Sequence, residues 1–177
     1  MDNKNIENFY IISVNYKNLN LDEREDFLKT GYKKILEKYF EKNEIKGYIA
    51  LETCLRVELY LEISKDFEFD NFMKEMKAEN INIYSGLEAV KHLLNVICGL
   101  DSIIKGEDQI LSQMKKAYLN YLEMKKTSTL INIIFNKAIE TGKKFRSVSE
   151  ISQKNLSLDS IAVKFIKSKF NDLENNN

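Results

Sequence analysis

The spacing of apolar and polar positions changes along the chain, and the change divides it. Phe9 to Asn15 (FYIISVN) is rich in β-branched and aromatic residues with apolar and polar positions alternating, which predicts a strand. Asn20 followed three residues later by Glu23 is a capping-box pair, predicting a helix that opens there and runs through Phe27 and Leu28. A second helix is expected over Tyr32 to Phe40. Gly47 to Thr53 and Val57 to Ile63 are two β-rich runs separated only by Cys54, Leu55 and Arg56, which predicts a hairpin or two strands meeting at a tight bend. Phe67 to Glu79 has helical spacing, and Ile81 to Tyr84 fits a short edge strand. From Gly86 onward the apolar period is 3.6 with little interruption. No proline occurs to stop these helices, so Gly86, Gly99, Gly106 and Gly142 are the expected punctuation. The fold class this predicts is α+β: a small N-terminal β-sheet with packed helices (βαββαβ-like), followed by a helical C-terminal portion.

Composition narrows the setting. The 177 residues suffice for one domain with a real core. No apolar run approaches the roughly 20 residues that cross a bilayer, and MDNKNIENFY lacks the basic start and apolar stretch of a signal peptide. A cytoplasmic protein without membrane contact is expected. The two cysteines, Cys54 and Cys98, lie far apart and form no C-x-x-C pair, so neither a metal site nor a disulfide framework is expected. Net charge is zero, yet the part before Lys105 is net acidic and the rest net basic. A basic half can attract a polyanion such as RNA, although paired lysines such as Lys115 and Lys116 also suit an ordinary solvated helix face.

Candidate chemistry gathers at two places. Free cysteines are commonly buried and inert, but Cys54 sits at the predicted bend, where a side chain is reachable. A thiol becomes nucleophilic as the thiolate, which a neighbouring cation favours, and Arg56 leaves the same side of an extended chain two residues on. Arg56 is equally suited to clamp a carboxylate with its planar fork. His92 is the only histidine. On a wheel of about 100° per residue Leu87, Val90, Leu93, Leu94 and Ile97 share one face and His92 points nearly opposite. That predicts either an exposed bystander or a group facing a second surface such as a cleft. Downstream, Gln109, Gln113, Lys116 and Asn120 form one polar helical stripe beside Ile110, Leu111, Met114 and Tyr118. Such stripes usually face solvent, but Ser102, Glu107, Gln109 and Gln113 together also suit a small polar ligand such as an amino acid.

These residues carry a resemblance. The chain resembles the N-terminal catalytic domain of glutamyl-tRNA reductases, a family with T-C-N-R-x-E-[IL]-Y, where Thr53-Cys54-Leu55-Arg56-Val57-Glu58-Leu59-Tyr60 stands here. The family also has H-L-x-x-V-x-x-G-L-D-S-x-x-x-G-E-P-Q-I-L-x-Q, matched without a gap from His92 to Gln113. Near the start, Asn15-Tyr16-Lys17-Asn18 stands for N-H-K-T and Leu21-Asp22-Glu23-Arg24 resembles L-R-E-R. Leu55 replaces the motif asparagine and Asp108 the motif proline.

The resemblance implies that Cys54 attacks the ester linking glutamate to its tRNA and leaves a glutamyl thioester. The full enzyme then reduces this with NADPH to glutamate-1-semialdehyde for tetrapyrrole synthesis. By motif position it implies that Thr53, Arg56, Ser102, Glu107, Gln109 and Gln113 hold the glutamyl group and that His92 is important for activity. It further implies glutamyl-tRNA as partner, a homodimer in the full-length family, a following aminomutase as a further partner, and no metal. Residues 1–153 are expected to form the catalytic domain and 154–177 to begin a linking helix. No G-x-G-x-x-G occurs in these 177 residues, so the NADPH-binding domain is expected to be absent and the chain is expected to stop at thioester formation and hydrolysis. A non-catalytic tRNA-binding module and a plain interaction domain are the rival expectations.

Overall fold

In the computed structural model, residues 3–77, 81–101 and 109–149 are described. After a short 3-10 turn at Asn3–Asn8 come β1 (Phe9–Asn15), α1 (Leu21–Lys29), α2 (Tyr32–Glu41), β2 (Ile45–Glu52), β3 (Arg56–Ile63), α3 (Phe69–Met76), β4 (Asn82–Ser85), α4 (Gly86–Ile97), α5 (Gln109–Glu123) and α6 (Thr129–Ser149). The four strands form one sheet in the order β2-β3-β1-β4, and every pairing is antiparallel. The fold is α+β, with the first seven elements in the order β-α-α-β-β-α-β.

Both faces of this sheet are covered, which explains why β3 is buried at almost every position instead of alternating. Val57, Leu59, Leu61 and Ile63 pack with Phe27, Leu36, Tyr39 and Phe72 of α1 to α3. The opposite face, with Phe9, Ile11, Ile49, Leu51 and Tyr60, packs with Leu93, Val96, Ile110, Met114 and Phe135 of α4 to α6. Residues 56, 58 and 60 therefore point toward the helical layer that the C-terminal half supplies.

Local signals account for several boundaries. The capping box at α1 is present: the Asn20 side chain accepts from the Glu23 amide at 3.0 Å and the Glu23 carboxylate accepts from the Asn20 amide at 2.8 Å. The short strand β4 lies at the sheet edge, as its length and mixed polarity predict. The predicted helix Phe67 to Glu79 is shorter at its start, beginning at Phe69, and its described part ends at Met76 with Lys77 left-handed at φ 48°. Gly142 does not interrupt the chain; it lies inside α6. A Cβ there would stand 3.3 Å from Leu111 and 3.4 Å from Ile97, so the glycine lets α6 approach α4 and α5 closely. Gly106 and the expected linking helix fall outside the described residues.

The outer edge of β2 is clasped by the connection between α5 and α6. The Tyr48 amide donates to the Lys126 carbonyl at 2.8 Å, and the Tyr121 hydroxyl meets the Ala50 backbone. Gly47 makes the approach possible: a Cβ there would lie 2.4 Å from the Ser128 amide nitrogen. Glu37 of α2 secures the clasp, accepting from Tyr48 at 2.7 Å and pairing with Lys126.

Candidate active site

Cys54 lies at the tip of the connection between β2 and β3, and its side chain is exposed. The turn is built around Thr53. The Thr53 amide donates to the Arg56 carbonyl at 2.8 Å, and its hydroxyl accepts from the Arg56 amide at 3.1 Å and the Leu55 amide at 3.3 Å. Leu55 contributes through its backbone, since its carbonyl accepts from the Tyr16 amide at 3.0 Å. A leucine in the motif asparagine's place thus leaves the described turn hydrogen bonds intact. The residues between the strands bend, and Arg56 and Cys54 still line one depression. A further cation at the turn is Arg24 of α1, which donates to the Leu19 carbonyl at 2.6 Å and reaches the Cys54 carbonyl at 3.5 Å.

Thr53, Cys54, Leu55 and Arg56 line a small depression with Gln109, Ile110 and Gln113 from the first turns of α5. The thiol and two amides a helical turn apart thus share one concavity. Gln109 is exposed and Gln113 half-buried, while Ile110 and Met114 face the core, as the stripe predicts. Ser102 and Glu107 lie outside the described residues.

Arg56 and His92 are arranged differently from expectation. The Arg56 side chain is 2 % exposed. Its Nη1 contacts Glu58 at 3.0 Å and Asp101 at 3.2 Å, and its Nη2 donates to the Asp101 carbonyl. His92 is neither exposed nor in a cleft: it is buried, and its ring stacks on Tyr84 at 4.1 Å between centroids. Its Nε2 lies 2.8 Å from Glu58 Oε1. The buried face of α4 is Ala89, His92, Leu93, Val96 and Ile97, while Leu87 is exposed. The helix is rotated away from the wheel's apolar centre because a carboxylate across the interface satisfies the one polar member of the buried face.

Glu58 is the hub that sequence reasoning missed. It is wholly buried and accepts from Ser13 at 3.0 Å, from Tyr60, from Arg56 and from the imidazole. Burial by itself pushes this carboxyl up. The hydrogen bond from His92, the charge of Arg56 and the Tyr60 hydroxyl overcome that and hold it at about 2. A carboxylate only accepts, so the His92 nitrogen facing it carries a proton. Burial and the Glu58 charge push the Tyr60 hydroxyl far up. Sheet register explains the grouping: Ser13 stands opposite Glu58, and Asn15 opposite Arg56. Asn15 in turn donates to Ser13 at 3.0 Å. A usable sequence signal existed, namely Arg56, Glu58, Tyr60 and Glu62 at every second position of a strand whose alternate positions are all apolar.

Asp101 completes the cluster from the end of α4. Gly99, at φ 72°, turns the chain so that the amides of Leu100 and Asp101 both donate to the Asn95 carbonyl, at 2.9 and 3.3 Å. One Asp101 carboxylate oxygen faces Arg56 and the other pairs with Lys17. Among the described residues no group of three potential metal ligands converges, and no helix is long and apolar enough to cross a membrane.

Comparison with known proteins agrees with this architecture. The family model described as "Glutamyl-tRNAGlu reductase, N-terminal domain" matches residues 12–149. A glutamyl-tRNA reductase of Fusobacterium nucleatum is 45% identical over 172 residues, covering 97% of this chain and 52% of that protein. One from Thermoplasma acidophilum is 40% identical over 129 residues, covering 73% of this chain and 30% of that protein. The solved structure of the glutamyl-tRNA reductase from Methanopyrus kandleri superimposes with a TM-score of 0.73 at 28% identity, covering 92% of this chain and 40% of that one. The chain thus spans about half the length of the first of these relatives and less of the others. With a family model that covers most of the chain and a fold shared with a solved reductase, the chain belongs to the glutamyl-tRNA reductase family, through that family's N-terminal domain.

Proposed function

We propose that this chain performs the acyl-transfer half of glutamyl-tRNA reduction. The Cys54 thiolate attacks the carbonyl carbon of the ester joining glutamate to the terminal ribose of its tRNA. A C–S bond forms, the C–O bond to the ribose breaks, the ribose oxygen takes up a proton, and a glutamyl thioester remains on the protein. The observation that carries this reading is the exposed Cys54 at the rim of a depression lined by Gln109, Gln113 and Arg56, on a turn held by Thr53 and not by the cysteine itself. Gln109 and Gln113 supply donors and acceptors for the glutamyl group, and Arg56 supplies the charge for its carboxylate. His92 acts as a positioning group, through Glu58, on Arg56. Ser102 and Glu107 enter the proposed site by motif position alone.

The described residues do not suit a dinucleotide. Their sheet is wholly antiparallel and offers no glycine-rich turn from a parallel strand into a helix. On this reading water is the acyl acceptor for the described residues acting by themselves.

Incubation with tRNA carrying radiolabelled glutamate tests the proposal. Deacylation above the spontaneous rate, abolished by Cys54→Ser, together with an acid-stable labelled protein in the wild type, is the expected result. Equal deacylation by both proteins, or tRNA binding without it, overturns it.

A further inference from the structure

Arg56 has a carboxylate before any substrate arrives. Of its two acidic partners among the described residues, Glu58 is wholly buried and fixed by Ser13, Tyr60 and His92. Asp101 is different: its side chain is 18% exposed, and its second oxygen is held by Lys17, itself half-exposed. Among the described residues, any anion that enters beside Cys54 and seeks Arg56 meets in Asp101 the partner that can give way.

We propose that Asp101 is an internal stand-in for the side-chain carboxylate of the glutamyl group, yielding its place on Arg56 when that group binds and keeping Lys17 as its partner. The inference rests on the acyl-transfer reading and on Arg56 as the carboxylate's partner. Its physical reason is charge balance. A buried guanidinium matched against Glu58 and Asp101 costs little to keep, whereas one left with an open anion site would weaken the fold. The exchange swaps one charge-assisted contact for another of the same kind. Asp101 thereby sets the strength of glutamyl binding and disfavours a neutral side chain, because a carboxamide offers Arg56 too little to displace a carboxylate. Asp101 does not touch the reacting atoms; it tunes specificity through Arg56.

The test uses two amide-linked probes, glutamate and glutamine each joined through the α-carbonyl to 3′-amino-3′-deoxyadenosine, titrated calorimetrically against the 177-residue chain. Asp101→Asn keeps the shape and removes the charge, and it should bind the glutamyl probe on the order of tenfold more tightly, the size expected from losing one charged competitor. Unchanged or weaker binding overturns the proposal, since an aspartate that merely braced Arg56 would give that result. Should Asp101→Asn not fold, the wild type decides: the nitrogen-15 resonances of the Arg56 guanidinium should shift on saturation with the glutamyl probe and not with the glutaminyl probe. Equal responses to both, or none, overturn the proposal. Because these measurements involve no thioester, they stand apart from the Cys54→Ser comparison, which tests the underlying reading.

Discussion

Glu58 of β3 and His92 of α4 meet at 2.8 Å, carboxylate oxygen to ring nitrogen, in a region closed to solvent. The contact joins the sheet to the C-terminal helical layer and stands behind the Cys54 turn through Arg56. Among the described residues, replacing Glu58 by Gln leaves Asp101 as the one carboxylate shared by the buried Arg56 and by Lys17, so a positive charge goes unmatched. We expect a loss of roughly 3–5 kcal/mol in urea unfolding, with Tyr60→Phe, which removes one donor to the same carboxylate, losing about 1 kcal/mol.

The acid limb of stability follows from the same group. A carboxyl held at about 2 in the folded chain and near its ordinary value when unfolded contributes stability that is full above the ordinary value and is lost as pH falls through about 2. That contribution is about 3 kcal/mol. Unfolding free energy measured from pH 6 downward should fall mainly below the ordinary carboxylate range, and Glu58→Gln should flatten the fall.

The two thiols should separate cleanly. Cys54 is exposed, whereas Cys98 is buried at the end of α4, and burial pushes its thiol up to about 11. With an aromatic disulfide reagent at neutral pH, one equivalent should react in the native chain and a second only in denaturant. Cys54→Ser should remove the fast equivalent while leaving the melting temperature within about 2 °C, because the turn's hydrogen bonds run through Thr53 and the backbone.

Two glycines should respond differently to the same change. Gly47→Ala drives a methyl into the Ser128 backbone and should cost about 1–3 kcal/mol or more. Gly142→Ala meets only the flexible end of Leu111 and the Ile97 contacts at 3.3 to 3.4 Å. The roughly 1 kcal/mol of helix propensity it gains offsets that crowding, leaving stability nearly unchanged. Thermal melts of the two variants check both statements.

What could be read from the residues was what depends on near neighbours. The Asn20 and Glu23 pair, the limits of β1 and the tight bend at Cys54 are determined within a few positions, and all appear as expected. His92 and Gly142 were misjudged because their surroundings come from distant parts of the chain: Glu58 on another strand for the first, Leu111 and Ile97 on two other helices for the second. Periodicity treats a polar residue as outward and a glycine as a stop, and it has no access to the partner that makes either one interior. Arg56 shows the same limit, since the carboxylates that occupy it come from β3 and the end of α4.

The clasp over β2 makes the sheet one-ended for association. Among the described residues the backbone of β2 at Tyr48 and Ala50 is already engaged on its outer side, so a strand from another chain has no open ladder to join there. Among the described residues the remaining rim is β4, only four residues long, with Ile83 exposed within it and Leu87 exposed just after it. Any growth by strand addition, whether useful docking or unwanted fibre formation, would have to start from that short strand and could proceed in a single direction.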